Sequence, residues 1–402
     1  MKEPLDPSDL KLSKLTSFSD LNAIAGEWDE FISQSGSDIY FTTDWLAVWW
    51  DHYGENRRLY AFAIHHENEM IAALPFMVEN FGIYPFSTRL ARFVGADSTI
   101  PIFCPAVKSG YELDVINVIL DELISNIKCD IVSFSPLSGE TDFGPAVRKL
   151  NGGRQEFRIV FDDTDKTHVL FNVGTDFDEY MLSLPTKFRS ELRRRMRNLS
   201  KDYKVEYRTV GGADAKNRFD SFVKMHQSQW STDGRLGHFG DWPKSLEFNR
   251  SLVERLAPKD QVRFHEILGD GELLSSHYGF VLGQKGFARL TARKVDQEFS
   301  KLSLGNIANM KMLESFSEEG FCNIEAGPGH YSHKSSQGGV ELSICHLVVS
   351  SSKISSRLKG ALILAWADFL NFAYYRVWYL KLSPRFNLGK RPLWRAWIRT
   401  RL

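Results

Sequence analysis

The same order of hydrophobic periodicities occurs twice along this chain, and that repetition restricts the fold more than any other feature. In the first half, Thr43 and Asp44 lead into WLAVWWDHY, where Trp45, Trp49 and Tyr53 recur at the four-residue spacing of a helix face. LYAFAIH then reads as a strand, HENE as a turn and MIAALPFMVE as a second strand. The stretch ELDVINVILDELISNIK reads as a helix, and DIVSFSP as a buried strand. The second half repeats this order. A helix runs through ADAKNRFDSFVKMHQSQW, QVRFHEIL and LLSSHYGFVLG flank the turn GDGE, and GFARLTARKV supplies a third strand. A helix starting near Gly305 carries NIANMKMLESFSEE, followed by the strands CNIEAG and ELSICHLVVS. Such an order implies an α+β fold with mixed layers in each half.

The boundary is expected within residues 163–175, where DDTDK is polar and HVLFNV opens a new strand. The division reads as 1–165, 166–352 and a basic, aromatic helical tail at 353–402. Soon after the boundary a helix opens at Pro185, a residue favoured in a first helical turn because its missing N–H would be unpaired there anyway. Its apolar stripe is Phe188, Leu192, Met196 and Leu199; Arg193, Arg194 and Arg197 fall mostly off it.

Charge sharpens this picture. The 402 residues hold 50 basic and 50 acidic side chains, so the chain as a whole is no polybasic nucleic-acid binder. The balance hides segregation. Residues 185–204 carry eight basic and two acidic residues, and residues 376–402 carry eight basic and none acidic. The four cysteines (Cys104, Cys129, Cys322, Cys345) sit among apolar residues with no CxxC pair, which reads as buried small hydrophobes. The N-terminus MKEPLDPSDLKL lacks the pattern of a signal peptide. In the most apolar window, residues 360–380, Asp368, Asn371 and Arg376 argue against a transmembrane span. A reducing, cytoplasmic location is the expectation.

The LPTKFRSELRRRMRNL helix, the MHQSQW helix end, the LLSSHYGFVLG strand, the SKLSLGNI loop and the IEAGPGHYSHK segment together resemble the CelD/BcsL-like acetyltransferases associated with cellulose and exopolysaccharide synthesis. These are a branch of the GNAT superfamily and are similar in layout to FemAB-type transferases, which carry two GNAT-like domains in tandem. The resemblance covers about residues 20–350. It implies two tandem GNAT-like domains, each a mixed, largely antiparallel sheet flanked by helices, with acetyl-CoA or another acyl-CoA as co-substrate. The first half has no counterpart of SKLSLGN and is expected not to bind CoA.

Acyl transfer from a thioester needs a held pyrophosphate, a nucleophile able to lose a proton, and donors for the oxyanion. The candidate phosphate site is Ser300, Lys301, Ser303, Leu304, Gly305 and Asn306, at a helix start. Its single glycine departs from the glycine-richer GNAT loop, and the alternative is an ordinary loop with Ser303 as helix N-cap. A second cluster holds Glu325, Gly327, Gly329, His330, Tyr331, His333 and Lys334. Glu325 is the candidate acid or base at a strand end. Lys334 is a candidate partner of a phosphate or of Glu325, or the two form a merely structural pair. His277 and Tyr278 are adjacent on a strand, so at most one points into a site. His277 is a candidate base, or a packed and satisfied histidine. His226 and Trp230, four apart on a helix, and Tyr331 and His333 are candidate acceptor-binding residues, with plain helix packing the alternative for the first two. No HxxxH, HExxH or cysteine cluster points to a metal.

The basic helix at 185–204 has the charge to meet an anion or RNA. Its ordinary reading is a solvated face with Glu191 and Arg195 paired at i, i+4. The resemblance brings in aminoacyl-tRNA as a second donor, although the FemAB helical arm is not evident. The tail sets Trp378, Tyr379, Phe386, Trp394 and Trp397 among cations, a composition suited to a membrane interface; a helix packed on the second domain is the alternative. The leading expectation is an acyl-CoA-dependent N- or O-acyltransferase acting on a sugar, polysaccharide or envelope precursor. A third possibility is a non-catalytic GNAT-like module that binds polysaccharide-synthesis partners.

Overall fold

In a computed structural model of the protein, residues 9–82, 87–96, 102–151, 156–232, 237–241, 243–329 and 332–386 are described. The strands in chain order are β1 (Leu10–Leu15), β2 (Arg58–His66), β3 (Glu69–Phe81), β4 (Thr88–Phe93), β5 (Ala106–Val107), β6 (Ile131–Ser138), β7 (Phe157–Asn172), β8 (Val205–Val210), β9 (Val262–Gly269), β10 (Glu272–Leu282), β11 (Lys285–Arg293), β12 (Asn323–Pro328) and β13 (Val340–Ser351). The chain divides into two compact units, one of residues 1–166 with 343–402 and one of residues 167–342.

Each unit has a mixed sheet flanked by helices, and the two sheets follow one plan. In the first unit β1, β2, β3 and β4 pair in antiparallel order, β4 pairs β6 in parallel, and β6 pairs β13 antiparallel. In the second, β8, β9, β10 and β11 form the antiparallel run, β11 pairs β12 in parallel, and β12 pairs β7 antiparallel. Each parallel step needs a crossover. Helix Glu112–Leu120 lies between β4 and β6 in sequence, and helix Leu304–Glu318 between β11 and β12. The tandem GNAT-like architecture is thus present in both halves.

The sixth position in each sheet is filled unexpectedly. β7 ends the first half in sequence yet pairs with β12, and β13 ends the second half yet pairs with β6. The polar run DDTDK lies inside the sixteen-residue β7 rather than in a linker. The division between the two units nonetheless falls at the end of that run, between Lys166 and Thr167.

Periodicity placed the cores well. In the first unit Trp45, Trp49 and Phe76 are fully buried, and Phe41, Phe93, Phe103, Phe134 and Phe143 pack ring to ring; Tyr84 and Phe86 lie outside the described residues. Cys104, Cys129 and Cys345 are buried, and burial pushes the Cys129 thiol up to about 12. In the second unit Leu192 and Leu199 of helix Thr186–Asp202 enter the core, with Phe188 and Met196 packed against it. Pro185 sits at the cap, one residue before the first turn. Glu191 pairs with Arg195 at 2.6 Å, as its spacing predicts.

The tail begins as part of the first unit. Helix Ile354–Phe369 lays Ile363 against Leu90, Ile131 and Val348. Asp130 anchors it, accepting from Ser356 Oγ at 2.8 Å and from Lys359 Nζ at 3.1 Å. Among the described residues no helix is long and apolar enough to cross a membrane.

Candidate active site

In the second unit the parallel pair β11–β12 is short. It runs from Lys285↔Asn323 through Gly286↔Ile324 to Phe287↔Glu325. Beyond that point β11 continues to Arg293 and β12 to Pro328 with no ladder recorded between them. A bulge marks the same place. Tyr278 of β10 opposes Leu290 and Gly279 opposes Ala288, leaving Arg289 as the extra residue of β11. A bulge bends its strand and interrupts pairing, which leaves two facing strand edges able to hydrogen-bond an extended ligand.

Helix Leu304–Glu318 starts beyond the end of β11, and its first turn carries backbone N–H groups without intrahelical acceptors. This start is electropositive and suited to phosphate. Of the expected phosphate residues, Lys301 is exposed, Leu304 is buried, and Ser303 is the N-cap residue with φ +50. Ser300 to Leu302 belong to a short helix rather than a loop. The Ser303 side chain makes no capping hydrogen bond, because the left-handed backbone aims it elsewhere; the N-cap expectation is corrected to that extent. Asn306 Oδ1 accepts from Gln337 Nε2 at 3.2 Å and is thereby tied into a half-buried amide network with Asn309.

Gly305 lies beneath the Arg293 side chain. A Cβ there would lie 2.7 Å from Nη1 of Arg293, so the guanidinium rests over the first turn of the helix. A cation and a helix start therefore converge at the mouth of the β11–β12 gap. The residues present fit a diphosphate-bearing co-substrate.

Glu325 stands where the two strands part and is buried. Its Oε2 lies 2.8 Å from Nδ1 of the fully buried His168 on β7. Its Oε1 accepts the Gly327 N–H at 2.8 Å, a bond made possible by a tight turn in which Gly327 has φ +78. Lys334 donates to the Ala326 carbonyl at 2.7 Å, and burial lowers its pKa against the opposing pull of Glu325. The ammonium thus holds the β12 backbone within electrostatic reach of Glu325, and Glu325 is hydrogen-bonded by His168.

The remaining candidates are dispersed. His277 and Tyr278 face opposite sides of the sheet. His277 packs on helix Leu304–Glu318, its Nδ1 3.0 Å from Met312 Sδ, and burial and the nearby Arg293 lower its pKa to about 4. Tyr278 is fully buried among Phe219, Phe222 and Phe264. Both are held as packed residues. His226 is fully buried; its Nε2 accepts from Trp230 Nε1 at 3.0 Å and lies 3.1 Å from His238 Nδ1. Burial, then His238, pushes its pKa down to about 3. Tyr331 and His330 lie outside the described residues, as do the side chains of His333 and Ser300.

Sequence reasoning missed Arg293 and His168. The first had a legible signal, since a cation at the carboxyl end of a strand that feeds a crossover helix is well placed for a ligand. The second had none, because its contact spans 157 positions.

Residues 186–335 match the family model described as acetyltransferase (GNAT) domain. The matched segment covers β8 to β12, the β11–β12 gap and helix Leu304–Glu318. The crystal structure of FemX is similar at TM-score 0.57 and 12% identity, covering 83% of this chain and 96% of that one. A tandem GNAT protein from the clavulanic acid biosynthesis pathway is similar at TM-score 0.45 and 11% identity, covering 86% of this chain and 99% of that one. No curated protein matches this sequence. The chain carries a GNAT-type domain and is an acyltransferase.

Proposed function

We propose that the second unit transfers an acyl group, acetyl in the leading case, from an acyl-CoA to a hydroxyl or amine of a sugar, polysaccharide or envelope precursor, as the CelD/BcsL-like resemblance implies. The observation that carries the donor assignment is the convergence of Arg293 and the start of helix Leu304–Glu318 over Gly305 at the open end of the β11–β12 gap. When bound, the co-substrate supplies the activated thioester carbonyl. The first turn at Leu304 to Asn306, with Arg293 and Lys301, holds its diphosphate. The facing edges of β11 and β12 hold the extended amide chain by backbone hydrogen bonds. Glu325, fixed by His168 and the Gly327 N–H, receives the proton lost by the acceptor. The acceptor side is assigned to Trp230, Tyr331 and His333, as the resemblance implies, with the buried His226 orienting Trp230 through its hydrogen bond.

A second reading, an aminoacyl-tRNA donor, is favoured by the arginines of helix Thr186–Asp202; Arg194 remains 63% exposed although it lies 3.8 Å from Glu191. Thermal stabilisation of the full chain with acetyl-CoA, longer acyl-CoAs and tRNA separates the readings. Stabilisation by an acyl-CoA that Gly305→Trp abolishes supports the proposal. Stabilisation by tRNA alone supports the second reading, and no response to any donor points to a non-catalytic module.

A further inference from the structure

We propose that the outward face of the C-terminal helix is a docking surface for an anionic lipid bilayer. Helix Ile354–Phe369 continues without a break, in wider turns, through Leu370–Leu382. Its inner side buries Ser356, Gly360, Ile363, Leu370 and Tyr374. The opposite side is apolar rather than charged. Ile354, Leu358, Leu362, Trp366, Phe369 and Phe372 recur at spacings of four and three, and each is between 47% and 84% exposed. Trp366 and Phe369 stack at 5.5 Å, which joins them into one patch. From residue 354 to 372 the stripe runs about 27 Å at 1.5 Å per residue. An exposed apolar face of this length on a folded chain marks a contact surface.

Charge selects the occupant. Residues 353–402 hold eleven basic side chains against the single acid Asp368. Arg357 lies beside the stripe on its first helix, and Arg376, Lys381 and Arg385 follow it. Lys359 is spent on Asp130, whereas Arg357, Arg376, Lys381 and Arg385 are all exposed. A second copy of this chain would bring the same cations against one another. A bilayer with anionic headgroups accepts both the apolar stripe and its flanking cations, with the helix lying in the interface plane. The inference stands apart from the acyl-transfer reading, since no residue of the candidate active site enters it.

The test is flotation of the full chain with phosphatidylcholine vesicles, with and without phosphatidylglycerol as the minor lipid, beside its oligomeric state at several concentrations. The expected result is flotation with the anionic vesicles that falls with salt and is absent with phosphatidylcholine alone. Leu362→Glu combined with Phe369→Glu should lose flotation while melting as the parent does. Arg376→Gln with Lys381→Gln and Arg385→Gln, which leaves the stripe intact, should weaken it and serves if the first variant folds poorly. Three results would overturn the proposal: a parent chain that stays unbound with anionic vesicles, variants that all float as well as the parent, or a dimer that the double variant dissolves.

Discussion

Glu325 and His168 hold one another across the β12–β7 pair, Oε2 to Nδ1 at 2.8 Å, with His168 wholly buried. The contact joins β12, the strand that opens the candidate site, to β7 beside it. It fixes the carboxylate at the point where β11 and β12 part, and leaves the Gly327 N–H as its second anchor. The two hydrogen bonds fix the orientation of the carboxylate.

Replacing Glu325 by Gln keeps the side-chain shape and removes its basicity. Turnover should fall about 10²–10⁴-fold, the range of general acid–base catalysis, with little change in KM for the donor. Steady-state kinetics reads this directly. A purely structural Glu325 would instead leave turnover intact in folded enzyme. His168→Ala should cost about 1–3 kcal/mol of stability by leaving a buried acceptor unsatisfied, visible in denaturant melts.

Arg293→Gln removes the cation over the helix start but leaves the fold, since the side chain is exposed. A charge-assisted hydrogen bond is worth about 1.5–3 kcal/mol, so donor affinity should drop roughly tenfold or more while acceptor KM holds. Titration calorimetry with acetyl-CoA measures the first, and initial rates measure the second.

Three histidines of the second unit make its stability sensitive to acid. Burial pushes His226 and His265 down to about 3 and His277 to about 4, each below the ordinary 6.5. The unfolded chain therefore binds protons that the folded chain refuses. This contribution is whole above pH 6.5 and is lost as pH falls towards 4 and 3, at up to about 1.4 kcal/mol per pH unit for each group. Urea midpoints measured from pH 7 to 5 should decline. His265→Gln, whose imidazole sits against Phe316 and 3.2 Å from Thr209 Oγ1, should lessen the slope.

Asp130 joins the C-terminal helix to the first unit, and also accepts the Arg89 N–H at 2.9 Å. Asp130→Ala should cost about 1–3 kcal/mol and show first as faster amide exchange within Ile354–Phe369. Unchanged exchange there would mean that Ile363 and its neighbours dock the helix alone.

The sequence disclosed what depends on local period. β10 and helix Leu304–Glu318 were legible because their apolar residues recur at two and at three to four. Helix Thr186–Asp202 was legible down to the Glu191–Arg195 pair. What escaped was set by distant contacts. HVLFNV was legible as a strand, but the acids before it masked the earlier part of β7, and its partner strand and the His168–Glu325 contact stayed hidden. Lys334 was legible as a residue near Glu325, yet its donation to the Ala326 carbonyl depends on a turn that no period encodes. Tyr278 and His277 were rightly assigned to opposite faces, but only packing showed each to be enclosed.

Amide hydrogen exchange of the full chain with and without acetyl-CoA tests the central claim most directly. The account predicts slowed exchange at 303–307 and along the facing edges at 288–293 and 326–328, and no such change in Gly305→Trp. Binding of acetyl-CoA that leaves all three segments unchanged would contradict it.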